Sequence, residues 1–180
     1  MVEPKILLII PAYNESEGIT QVVQKVEQYR IKSKYMIDYI VINDGSTDNE
    51  EEILRKNEIN HVELIQNLGI GGAVQTGYKY ALEKGYDIAI QYDGDGQHDI
   101  ESLPCLIEPL LSGVADFTVG SRFLEDSNSE FQSSTTRQVG IRILSALIFM
   151  TSKIRIKDVT SGYRAANKKV ISQFVGRYPS

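Results

Sequence analysis

Five short apolar runs, each breaking abruptly into polar or glycine-rich residues, constrain the fold of this chain most. They are Ile6–Ile10 (ILLII), Ile37–Ile42, Val62–Gln66, Ile88–Tyr92 and Ala115–Val119. Runs that are continuously apolar rather than alternating belong to strands covered on both faces. Helical patterns separate them. Glu17–Arg30 carries Ile19, Val22, Val23 and Val26 at helical spacing, and Asp48 is placed to N-cap a helix ending near Lys56. Gly71–Lys84 has Val74, Tyr78 and Ala81 on one face, and a further helix is expected near Ile100–Leu111. Strands alternating with helices predict an α/β domain, a mostly parallel central sheet flanked by helices. At 180 residues, with no internal repeat or linker, one such domain with a substantial core accounts for the chain.

Composition narrows the function classes. With 42% hydrophobic and 24% charged residues the chain is an ordinary globular one, not a disordered or low-complexity one. Cys105 is the single cysteine, so no intramolecular disulfide forms; with only His61 and His98 beside it, a structural zinc site is excluded. Its place beside Pro104 at a helix start puts Cys105 in the expected core. Met1-Val-Glu-Pro is not a signal peptide, and no run of about 18 apolar residues is present, so the cytosol is the expected compartment.

A net charge of −5 argues against nucleic acid as a partner. That figure conceals an asymmetry. Residues 1–136 hold 10 basic and 23 acidic side chains, whereas residues 137–180 hold 9 basic ones and the single acid Asp158. Either the two parts attract each other, or the basic one meets something anionic.

The regular pattern stops after Gly120. Residues 124–136 (LEDSNSEFQSSTT) are polar and serine-rich, long enough to suggest a lid ordered by substrate. Residues 138–152 read as a markedly apolar helix. Packing on the sheet edge is the favoured reading, and Arg142, Lys153, Arg155 and Lys157 around it make a membrane-surface helix the alternative.

In an open parallel sheet, ligands bind beyond the carboxyl ends of the strands. Those exits read Pro11-Ala12-Tyr13-Asn14-Glu15, Asn43-Asp44-Gly45-Ser46-Thr47-Asp48, Asn67-Leu68-Gly69-Ile70-Gly71-Gly72, Asp93-Gly94-Asp95-Gly96-Gln97-His98-Asp99 and Gly120-Ser121-Arg122. Polar chemistry is concentrated there and nearly absent from the runs themselves. Asp93 and Asp95, one residue apart, can turn toward one cation, with Gln97 adding a neutral oxygen. Mg²⁺ or Mn²⁺ suits so few carboxylates, because water and substrate phosphates complete its shell. An EF-hand start is excluded, since its sixth and twelfth positions hold His98 and Pro104; a plain acidic turn stays open. The Gly69–Gly72 stretch opens a helix whose amides, including that of Gly71, can cradle a phosphate, although it matches neither a P-loop nor a dinucleotide fingerprint. Asp44 either caps its turn or accepts a hydrogen bond from a base, and Asp48 reads as a pure cap.

Taken in order, I-P-A-Y-N-E (10–15), N-D-G-S-T-D (43–48), N-L-G-I-G-G-A (67–73), D-G-D-G-Q-H-D (93–99), G-S-R (120–122) and D-V-T-S-G-Y-R (158–164) resemble family 2 glycosyltransferases, nearest to the polyprenyl-phosphate sugar synthases. The resemblance spans roughly residues 5–175 and implies a GT-A (Rossmann-like) fold. It further implies a UDP- or GDP-linked nucleotide-sugar donor, an inverting transfer, and an acceptor that is a lipid phosphate or a glycan. It divides the domain into a nucleotide-sugar part (1–120) and a lid and acceptor part (121–180), working at the inner face of a membrane.

Carried onto this chain, the family pattern gives Pro11, Ala12, Tyr13, Glu15 and Asp44 to the nucleoside, and Asp93, Asp95 and Gln97 to the metal bridging the diphosphate. Arg122, Arg137 and Arg164 are candidate phosphate contacts, Arg122 also neutralising the leaving group. Asp158 is the candidate base if the acceptor is a hydroxyl; an ionised lipid phosphate needs none. Two departures stand out. Ile70 occupies a position where these synthases often have lysine, and the chain stops at Tyr178-Pro179-Ser180 without the transmembrane helices many relatives carry, which leaves truncated and stand-alone forms both open. A non-catalytic nucleotide-sugar-binding module and a sugar nucleotidyltransferase are the competing functions; the latter lacks its expected glycine-rich Arg/Lys stretch after the first strand.

Overall fold

A computed structural model describes residues 3–93, 99–120 and 162–177. Among these residues, six strands form one sheet in the order β3-β2-β1-β4-β6-β5: β1 (Lys5–Ala12), β2 (Met36–Asn43), β3 (His61–Glu63), β4 (Ile88–Gln91), β5 (Phe117–Val119) and β6 (Arg164–Asn167). The first four are mutually parallel, with Ile9 opposite Ile40 on one side and opposite Gln91 on the other. β6 runs antiparallel to both β4 and β5. The helices of the described residues are α1 (Ile19–Lys32), α2 (Glu50–Lys56), α3 (Gly69–Glu83), α4 (Leu103–Leu111), entered through a 3₁₀ turn at Ile100–Ser102, and α5 (Lys168–Arg177).

The apolar runs of β1, β2 and β4 are buried on both faces, as their composition demands. β3 and β5, at the sheet edges, are only partly covered, and Ile65 and Phe117 are exposed. Along β1, Ile6, Leu8 and Ile10 pack with Val22, Val23 and Val26 of α1 and Leu106 and Ile107 of α4. Leu7 and Ile9 point the other way, against Ala73, Val74, Tyr78 and Ala81 of α3 and Ile171 of α5. Each buried aliphatic side chain contributes roughly 1.5–3 kcal/mol on leaving water, so β1 anchors two apolar layers at once.

All five expected strands are present, and the helical faces expected of α1 and α3 are the buried ones. Two elements lie beyond the expected pattern. β6 is the short segment Arg-Ala-Ala-Asn, a strand because β4 and β5 pair with it rather than because of any β-forming composition; α5 follows directly. Cys105 corrects the core expectation: it is exposed, because α4 turns Leu103, Leu106, Ile107 and Leu110 inward and position 105 falls on the opposite side. The proposed lid (124–136) and apolar helix (138–152) lie outside the described residues. Among the described residues, no helix is long and apolar enough to cross a membrane.

Candidate functional site

β1 pairs with β2 on one side and β4 on the other, so the strand order reverses about β1 and a crevice opens at its carboxyl end. There the structure places a cleft of about 340 Å³ lined by Pro11, Ala12, Tyr13, Glu15, Asp44, Asn67, Gly69, Ile70, Ala73 and Asp93. Every nucleoside candidate from the sequence borders it: Pro11 and Ala12 from β1, Tyr13 and Glu15 from the loop after it, and Asp44 from the exit of β2. Gly71 itself sits in the first turn of α3, and its neighbours Gly69, Ile70 and Ala73 supply the lining.

Asp44 is 3% exposed. Its amide donates to the Ala12 carbonyl at 2.9 Å, and its Oδ1 accepts from the Leu68 amide at 2.8 Å. Through its amide and its carboxylate together, Asp44 ties the exits of β1, β2 and β3 while it borders the cleft. The turn after it needs glycine. Gly45 has φ +66, and a Cβ there would lie 2.7 Å from the Gln66 carbonyl carbon.

The loop after β1 is held by side chains from the loop after β2. Consecutive amides of Asn14, Glu15 and Ser16 donate to Ser46 Oγ (2.9 Å), Glu50 Oε2 (2.8 Å) and Asp48 Oδ2 (3.2 Å). Asn14, at φ +57, accepts on Oδ1 from the amides of Thr47 and Asp48 at 2.8 and 3.3 Å. The N-cap of α2 is Asn49, one residue after the expected Asp48. Asp48 instead accepts from the Glu50 amide at 3.1 Å from just before the helix, and it also binds the Ser16 amide. Burial works to raise the Asp48 pKa, but hydrogen bonds from Ser16 and the Glu50 amide outweigh it and hold the carboxyl below its usual value. Asn14, Ser46 and Glu50 escaped sequence reasoning. The repeated Asn/Ser/Asp pattern at both loops was the available signal, since such side chains bind nearby amides.

Asp93 closes the cleft at the exit of β4, half-buried, with Gln91 Nε2 donating to its Oδ1 at 3.0 Å. Backbone crowds it from the far side: a Cβ on Gly162 would come within 2.1 Å of Asp93 Oδ2. The G-Y-R stretch therefore lies against this carboxylate. Tyr163 is buried edge-on against Tyr92, ring centroids 6.0 Å apart. Arg164 pairs with Gln91 across β4 and β6 at the same end of the sheet, and it does not border the cleft. Asp95, Gln97, Arg122, Arg137 and Asp158 lie outside the described residues.

Comparison with known proteins establishes the kinship of the chain. The family model described as glycosyl transferase family 2 matches residues 7–174. The chain belongs to this family. Among curated relatives of this family 2 glycosyltransferase, the UDP-N-acetylglucosamine–dolichyl-phosphate N-acetylglucosaminyltransferase of Methanococcus voltae is 33% identical, over 96% of this chain and 74% of its own. The polyprenol monophosphomannose synthase of Mycolicibacterium smegmatis is 28% identical, over 93% of this chain and 63% of its own. Glucosyl-3-phosphoglycerate synthase from Mycobacterium tuberculosis, crystallised with Mn²⁺, UDP and glucosyl-3-phosphoglycerate, shares the GT-A fold. Its TM-score is 0.68 at 21% identity, and the alignment covers 93% of this chain and 58% of that one.

Proposed function

We propose that this glycosyltransferase moves a sugar, with inversion, from a nucleotide-diphosphate donor to a polyprenyl phosphate. The observation that carries the reading is the meeting of Pro11, Ala12, Tyr13, Glu15, Asp44 and Asp93 in one cleft at the strand-order reversal. The cleft has a buried carboxylate at its base for a nucleobase edge, a half-exposed tyrosine at its rim and the amino end of α3 along one side. That helix end favours the diphosphate, because its amides and dipole point at negative charge. Asp93 stands where the diphosphate meets the sugar.

Asp93 is a hard-oxygen donor suited to Mg²⁺ or Mn²⁺, and Asp95 and Gln97 would complete the protein's share of the shell. A divalent ion bound there supplies positive charge to the departing diphosphate. Arg122 and Arg137 are assigned to phosphate oxygens of donor or acceptor, and Arg164, which does not border the donor cleft, to those of the acceptor. Relatives named for dolichyl phosphate and polyprenol support the lipid acceptor. Such an acceptor is already ionised and attacks without a base, so Asp158 orients rather than deprotonates. It also places the reaction at a membrane surface, whose anionic lipids complement the basic excess of residues 137–180.

Calorimetry with UDP- and GDP-sugars tests the donor site. The wild type is expected to bind one class more tightly with Mn²⁺ than without it. Asp93→Ala and Asp95→Ala should each lose roughly tenfold or more of that affinity. A wild type silent toward every nucleotide sugar, with and without Mn²⁺, overturns the reading.

A further inference from the structure

Glu50 is a charged residue type in a place that ordinarily excludes one. It stands first in α2, in the exposed-looking run Glu50-Glu51-Glu52, yet it is fully buried. One oxygen, Oε2, accepts from the Glu15 amide at 2.8 Å and from Ser46 Oγ at 3.1 Å, and Ser46 Oγ in turn accepts from the Asn14 amide at 2.9 Å. Among the described residues, the other oxygen, Oε1, has no hydrogen-bond partner although it is buried. Burying a carboxyl with one oxygen unmatched costs free energy. A helix-capping role does not account for this, because the α2 amide at Glu50 is already bonded to Asp48.

The loop that Glu50 holds is the one that presents Tyr13 and Glu15 to the cleft, while Glu50 itself lines none of it. We propose that Glu50 is a positioning residue for nucleotide binding, fixing the 13–16 loop on the 44–48 loop through the Glu15 amide and the Ser46 hydroxyl. The inference rests on the donor reading above and extends it to a residue behind the cleft. Its rationale is preorganisation: a loop already ordered before binding spares the nucleotide the ordering cost. Burial, with the like charges of Asp48 and Glu15 nearby, pushes the Glu50 pKa above its usual value against the pull of its hydrogen bonds, so a neutral isostere is tolerated there.

The test joins hydrogen exchange of the ligand-free protein with UDP and GDP calorimetry, on full-length wild type, Glu50→Ala and Glu50→Gln. Glu50→Ala is expected to speed exchange at the Glu15 amide and weaken nucleotide affinity about tenfold. Glu50→Gln keeps an accepting oxygen and should return both readouts to within about twofold of wild type, a rescue that lost helix stability alone does not produce. If Glu50→Ala does not fold, Ser46→Ala takes its place, and the proposal expects the same two changes in milder form. Wild-type affinity and Glu15 exchange in Glu50→Ala, or in Ser46→Ala where that replaces it, overturn this inference alone. A wild type that binds no nucleotide overturns the donor reading and this inference together, and is recognised because nucleotide binding is then absent before any mutation.

Discussion

The absence of a side chain at Gly162 leaves the room in which the Asp93 carboxylate sits. The nearest atoms to a Cβ built there are Oδ2 at 2.1 Å and Oδ1 at 2.6 Å, at the free end of a rotatable side chain. Gly162→Ala is therefore expected to displace Asp93 rather than disrupt the fold. The melting temperature should stay near that of wild type, while, on the proposed metal-assisted transfer, turnover with Mn²⁺ falls on the order of 100-fold, the scale of a misplacement of about 1 Å at a reacting centre. Retention of full turnover with Mn²⁺ would show that Asp93 does not need its observed place. At this scale the sequence displayed what a cleft touches and concealed what stands behind it. Pro11, Tyr13, Asp44 and Asp93 were legible because strand exits in a parallel sheet converge by geometry. Glu50 was not, since nothing in three consecutive glutamates distinguishes the one that turns inward.

Elements follow the same division between periodic and contextual information. α1 and α3 announce their buried faces through side chains three and four apart, and β1 announces itself by seven buried residues in eight positions. β6 has no such signature. Ala165 and Ala166 are fully buried because β4 and β5 flank them, information that exists only after the sheet has formed. The start of α2 shows how an element's end couples to protons. The folded Glu50 pKa is raised, so the native protein holds that proton more tightly than the unfolded chain does. The associated stability is complete below the ordinary glutamate value of about 4.3 and is lost as pH rises through the raised folded value. Glutamine has no proton to lose. The stability of wild type relative to Glu50→Gln should therefore fall as pH rises above the ordinary glutamate value, by at most about 1.4 kcal/mol per pH unit. Urea midpoints measured at three pH values decide it, and a difference that is flat with pH contradicts the assignment.

Across the whole molecule, scaffold and site are carried by opposite ends of one helix. The amino end of α3 borders the cleft, whereas Tyr78 on its later turns packs on Phe174 of α5, ring centroids 5.3 Å apart. Phe174 also meets Phe117 of β5 edge-on at 5.7 Å, and Gln75 Nε2 donates to the Val175 carbonyl at 3.1 Å. Residues 168–177 thus close the apolar layer that the first half of the chain leaves uncovered, and Lys169 pairs with Asp116 at 2.6 Å beside them. The basic segment accordingly does meet the acidic one here, though an exposed pair of this kind adds little to stability. The aromatic contacts carry the weight instead. Phe174 is only partly buried, so Phe174→Ala is expected to cost roughly 2–3 kcal/mol, below the range for a fully buried ring. For a domain of this size that lowers the melting temperature by about 5–10 °C. Nucleotide affinity, measured well below the new melting temperature, should remain within about twofold of wild type, because none of the three rings borders the cleft. A joint loss of stability and affinity would mean that α3 transmits strain along its length, and that the site depends on the tail helix as well as on the strand exits.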